Sequence, residues 1–166
     1  MSRLTNIVLL ITACLLVTCL TACSDESCSD NGSSLPLAAL YLDGSQQTIS
    51  GLTIGGIGAP GDSLLTDSAS LSEVYLPLRA SSTSTSFTLA RFVRIDTTGM
   101  WLTDTLTLDY RPVEYFHSAQ CGAMFNFDIQ DVSCTHHAID SVVMLSTMVT
   151  NSRTPAMRIH FTDFRQ

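Results

Sequence analysis

The chain contains no lysine. Its eight cationic side chains are all arginines, scattered from Arg3 to Arg165, and against 15 Asp and Glu they leave a formal net charge of −7. No basic run or basic face is available, which argues against nucleic acid as a partner and against docking on an anionic membrane surface. Charge of either sign is scarce at 14%, whereas 45% of residues are hydrophobic, so intrinsic disorder is excluded and 166 residues suffice for one domain with its own core. No window sustains a helical period. No G-x-S-x-G turn is present to carry a nucleophilic serine. The Gly-rich stretch Gly55-Gly56-Ile57-Gly58-Ala59-Pro60-Gly61-Asp62 lacks the Lys-Ser/Thr and following helix of a phosphate cradle, and reads as a surface loop. There is no internal repeat. No catalytic residue, metal ligand or cofactor is assigned, and the chain is expected not to be an enzyme.

What is abundant is serine and threonine, 41 residues together, a composition that favours strands and turns. The N-terminus carries a different signal. Arg3 precedes an uncharged apolar run from Ile7 to Leu20, of signal-peptide length and short for a membrane span. The run ends in Leu20-Thr21-Ala22-Cys23, which resembles the lipobox of bacterial lipoproteins. Cys14 and Cys19 sit in less complete versions of the same pattern. On this reading residues 1–22 are a cleaved signal peptide and Cys23 is acylated, holding the protein on the lipid bilayer without a spanning helix. The alternative is an uncleaved anchor in which the three cysteines are ordinary small residues. Residues 23–34 are small, polar and acidic, as in a flexible tether.

From Leu35 onward short apolar runs alternate with Gly, Pro, Ser, Asp and Asn clusters. Strands are predicted over 35–43, 47–54, 71–79, 85–95, 102–110, 112–117, 122–133, 138–149 and 156–164. Period-2 alternation puts Leu106, Leu108 and Tyr110 on one face, and Phe125 and Phe127 on one face. Residues 35–166 are therefore expected to form a single all-β domain, an antiparallel two-sheet sandwich of immunoglobulin-like type, with a closed barrel as the alternative.

Three features invite chemistry. His136 and His137, with His117, His160 and Asp131, are of metal-ligating type, but neighbours on a strand face opposite ways, so the pair reads as polar residues of a loop. Trp101, the one tryptophan, offers a flat ring to a sugar or partner; the plainer reading is a core residue at a strand start. Asp-Ser/Thr followed by a small or aliphatic residue resembles an O-glycosylation acceptor, and Ser63 and Ser68, placed in a loop before a strand at Leu71, are its most exposed candidates.

Several motifs coincide: Cys23 with Cys28, Val74-Tyr75-Leu76-Pro77-Leu78, Gln120-Cys121, Met124-Phe125, the run from Val132-Ser133-Cys134-Thr135-His136-His137 to Val143, and Arg158-Ile159-His160-Phe161. Together they resemble the Bacteroidota lipoprotein family catalogued as domain of unknown function 6452. The resemblance implies an envelope location, a β-rich domain and no particular reaction. It also implies a disulfide between Cys28 and Cys121, with Cys134 departing from the family pattern and left as a free thiol. A shorter Cys121–Cys134 bridge stays open. The expected function is an outer-membrane-anchored, non-enzymatic structural or protein-interaction module, facing the periplasm or the cell surface. Ser24-Asp25-Glu26 resembles acidic surface-export signals. A glycan-binding surface lipoprotein is the alternative.

Overall fold

The computed structural model describes residues 34–95, 97–118 and 121–164. They belong to a compact unit spanning Asn31–Gln166; the expected signal peptide, Cys23, Cys28 and almost all of the expected tether lie outside the described residues. The described chain is all β: β1 (Leu37–Leu42), β2 (Ser45–Gln46), β3 (Ile49–Gly56), β4 (Leu64–Leu71), β5 (Glu73–Tyr75), β6 (Ser84–Ile95), β7 (Thr98–Ser118), β8 (Gly122–Cys134), β9 (Ile139–Met144), β10 (Met148–Val149) and β11 (Met157–Phe161).

These strands form two packed sheets, as the sequence predicts. The larger has the order β10-β8-β7-β6-β3-β4; the smaller runs β2-β1-β11-β9, with β5 also pairing β1. Inward-facing side chains of both sheets make one core, with Leu52, Ile54, Phe87, Leu89, Leu106, Leu108 and Phe127 from the larger and Leu40, Met157 and Ile159 from the smaller, each no more than about a fiftieth exposed. One pairing departs from an all-antiparallel sandwich. β1 and β11, the first and last strands, pair in parallel from Ala38↔Met157 to Leu42↔Phe161.

Several element boundaries differ from those predicted. Residues 102–110 and 112–117 are one strand, because β6 pairs β7 no further than Asp109, so beyond it Pro112 has a neighbour only in β8 and its missing N–H interrupts no second ladder. Residues 71–79 shorten to Glu73–Tyr75, with Pro77 just beyond. Residues 138–149 break into β9 and β10, which belong to different sheets, the chain crossing where Leu145 N and Ser146 N donate to Ala156 O. Residues 64–71, read as loop, form edge strand β4; its pairing with β3 shifts register three times and Ser68 adopts a positive φ of 45°. Such bulging blunts an edge against further strand pairing.

Candidate functional site

Trp101 is not in the core. It is 51% exposed and projects from the outer face of the larger sheet, the reverse of the plainer expectation. The reason is parity: on β7 the inward residues are Asp104, Leu106, Leu108 and Tyr110, which sends Trp101, Thr103, Thr105 and Thr107 outward. Directly opposite Trp101 on β6 stands Phe92, itself 41% exposed, with the ring centroids 5.4 Å apart and the planes at 63°. Glycine makes room for this pair. The Phe92 ring lies over Gly99, where any β-carbon would collide with it, and Gly51 on β3, at φ 66°, leaves the space beside the Phe92 β-carbon. Arg94 follows on the same face of β6, paired with Gly99 and exposed.

Below the rings the outer face turns to small and hydroxyl-bearing residues in successive cross-strand pairs: Ala90 with Thr103, Thr88 with Thr105, Ser86 with Thr107. Ser86 and Thr107 bond each other at 2.8 Å and the Thr88 hydroxyl donates to Gly55 O at 3.2 Å. The hydroxyls of Thr103 and Thr105 make no hydrogen bond within the described residues.

The inward neighbour of this surface is a buried carboxylate. Asp104 is 1% exposed, and it fastens the segment that carries the chain from β8 in one sheet to β9 in the other. Its Oδ1 accepts from the Thr135 hydroxyl (2.7 Å), the His137 amide (2.7 Å) and His137 Nδ1 (2.9 Å); its Oδ2 accepts from the amides of Ala138 (2.7 Å) and Ile139 (2.8 Å). Burial on its own would push this carboxyl up, but the bonds from His137, Thr135, Ala138 and Ile139 together outweigh it and hold Asp104 below its ordinary value. With both oxygens saturated, Asp104 has no lone pair left to take a proton from a substrate. It is a clamp, and His136 and His137 are residues of the clamped loop, as predicted from their adjacency. The structure does not gather the other expected metal-type residues there: His160 lies on β11 against Tyr41, and His117 lies at the end of β7 beside Tyr115. Among the described residues no group of three or more His, Cys, Asp or Glu converges.

The Gly-rich loop is closed by Arg79, whose guanidinium donates to Ile57 O (3.3 Å) and Gly58 O (2.8 Å), so its carbonyls face a cation of the chain itself. A cavity of about 130 Å³ is lined by Leu35, Met148, Thr150 and Pro155, and an open depression of about 490 Å³ by Ser81, Thr83 and Pro112. Among the described residues, neither has a titratable side chain in its lining.

Cys134 is a free thiol, raised above its ordinary value by burial and by the negative charge of Asp104, with Sγ 3.9 Å from the His136 ring nitrogens. Cys121 is disulfide-bonded; Cys28, the expected partner, lies outside the described residues. The short Cys121–Cys134 bridge is thereby excluded. Ser63 and Ser68 are exposed as expected, although Ser68 sits in β4 rather than in a loop. Phe92, Arg94 and the Asp104 clamp are features that the sequence reading missed.

No curated protein and no solved structure matches the chain. A family model does, over residues 51–161, from β3 through β11 and including the aromatic pair and the clamp. The chain belongs to that family, described as a family of unknown function (DUF6452).

Proposed function

We propose that this chain is a non-enzymatic binding module of the cell envelope, held on the outer membrane through acyl chains on Cys23 and presenting the outer face of its larger sheet to a ligand. The observation that carries the reading is the exposed Phe92–Trp101 pair, built over Gly99 at the end of the β6–β7 hairpin. Exposed aromatic rings on a rigid strand pair supply contact area at little entropic cost, and they are a usual centre of recognition. Among the described residues the buried carboxylate is saturated, the two cavities described above have no titratable lining, and the free thiol is held protonated, so these residues supply no activated nucleophile or base.

The path of the chain gives the rings a direction. Ser34 is fully buried; its amide donates to Phe125 O (3.0 Å) and its hydroxyl to Asn126 Oδ1 (2.7 Å). Phe125 pairs with Glu114, thirteen residues along β7 from Trp101, about 40 Å at the rise of a strand. The described chain thus begins at that end of β7, and the rings sit at the other.

Two experiments test this. Globomycin should make the precursor accumulate, and Cys23→Ser should leave the protein out of the membrane fraction; membrane retention of Cys23→Ser ends the lipid-anchor reading. A photo-crosslinking residue at Arg94, exposed on the same face as Phe92, should give adducts on intact cells that the same residue at Asp140, on the smaller sheet, does not. Equal labelling at both positions, or none at Arg94, ends the assignment of the binding face.

A further inference from the structure

We infer that the outer face around Trp101 is a saccharide-binding platform, on which a pyranose stacks against Trp101 in the corner made with Phe92 and the chain continues over Thr103 and Thr105. The inference rests on the binding-module reading above and commits it to a ligand class.

The composition of the face selects the ligand. A protein partner wants a broad apolar centre enclosed by a polar rim, of the order of 800 Å² per side. Here the two rings are the large apolar surface at the hairpin end of the face, with Leu64 of β4 farther along it beside Thr88, and the next pairs inward, Ala90 with Thr103 and Thr88 with Thr105, are small or hydroxylic. The other exposed large apolar residues of β6 and β7, Ile95, Met100 and Phe116, lie on the opposite side by strand parity and do not widen the patch. A sugar ring has the matching pattern. One of its faces is a cluster of C–H groups, which packs against an aromatic plane, and its rim is hydroxyls that donate and accept. Thr103 and Thr105 present hydroxyls without partners among the described residues, in line with Trp101 and at the two-residue spacing of a strand. Arg94, on the same side as Phe92, adds a fixed cation for a saccharide that carries carboxylates.

Trp101 is the only tryptophan of the chain, so its emission reads this position alone. The experiment uses the full-length protein in phosphatidylethanolamine vesicles and measures acrylamide quenching with and without dextran, laminarin, mannan, xylan or polygalacturonate. At least one of these polysaccharides should shield Trp101 and shift its emission to the blue. Thr103→Val with Thr105→Val, which keeps the reporter, should weaken that polysaccharide by about five- to tenfold, the worth of one or two hydrogen bonds. Retardation in gels cast with the same polysaccharide should disappear on Trp101→Ala, whose exposed position leaves the core untouched. If none of the five alters quenching, or if the threonine variant binds as the wild type does, the saccharide assignment is wrong. Should a photo-crosslinking residue at Arg94 still crosslink to a protein while no polysaccharide shields Trp101, the binding-module reading survives and only the ligand class falls; failure of both removes both. A Trp101 already shielded in vesicles before any polysaccharide is added places the rings in the bilayer, and overturns the inference as well.

Discussion

The Asp104 carboxylate on β7 accepts a hydrogen bond from the amide of Ile139, the first residue of β9, at 2.8 Å. These two residues belong to different sheets, and the bond is one of five through which a single buried side chain fixes the crossover. Asp104→Asn keeps the shape but turns an amide toward amide donors, and leaves buried N–H groups without acceptors. A loss of about 3 kcal/mol is expected, read as a lower urea midpoint. His137→Ala should cost under about 1 kcal/mol, since that side chain is 62% exposed. A midpoint for Asp104→Asn within error of the wild type would contradict the clamp.

The same residue gives the fold an acid limit. The folded-state pKa of Asp104 is depressed, so its contribution is fully present above the ordinary aspartate value of 3.8 and is lost as pH falls through the lower folded value. The stability gap between wild type and Asp104→Asn should therefore be flat from pH 7 to about pH 5 and close at lower pH. A gap that does not narrow as pH falls below 3.8, or one that closes between pH 6 and 8, would assign it to another group.

Tyr110 ties the long strand to the loop that precedes β6. Its hydroxyl accepts from Arg79 N (3.0 Å), donates to Arg79 O (2.9 Å) and bonds the buried Thr85 hydroxyl (2.8 Å), while its ring meets Phe127 edge-on at 5.3 Å. Tyr110→Phe keeps the ring and removes all three bonds, and should cost about 1–2 kcal/mol without changing the dependence on denaturant concentration. Equilibrium unfolding in urea measures it.

Peptide mapping without reduction should find Cys134 as a thiol and Cys121 in a linked pair. We expect the partner to be Cys28: Ser34, six residues beyond it, is bonded to Phe125, four residues beyond Cys121. A closed loop of about ninety residues contributes on the order of 4–5 kcal/mol in the chain-entropy model. Cys134 should react slowly with iodoacetamide at neutral pH until urea exposes it, because burial and Asp104 keep it protonated. A link from Cys121 to Cys23 would sink both the pairing and the acylation of Cys23.

Much of the sandwich is legible locally, and the site is legible only in part. Leu106, Leu108 and Tyr110 announce their inward face by alternation, and carrying that parity back along β7 puts Trp101 outside; the general tendency of tryptophan toward burial pointed the wrong way. Asp104 falls on the inward parity too, but its partners lie more than thirty residues downstream, and no local pattern distinguishes a clamped aspartate from a misplaced one. The edge strand β4 was hidden for a related reason: Leu64-Leu65-Thr66-Asp67-Ser68-Ala69-Ser70-Leu71 has no clean alternation, because its bulged pairing with β3 does not hold one register.

The parallel pairing of β1 with β11 bears on how the chain becomes a folded protein. The strand that begins the described sandwich lies between β2 and the strand that ends it, and Ala156 N closes the seam on Leu37 O. A chain that leaves the ribosome N-terminus first therefore carries β1 with an unfilled side until more than a hundred residues have followed. The smaller sheet cannot assemble piecemeal, and its closure waits on the most distant contacts, which form last and slowly. Completion of the smaller sheet thus waits until the last strand of the domain has been made.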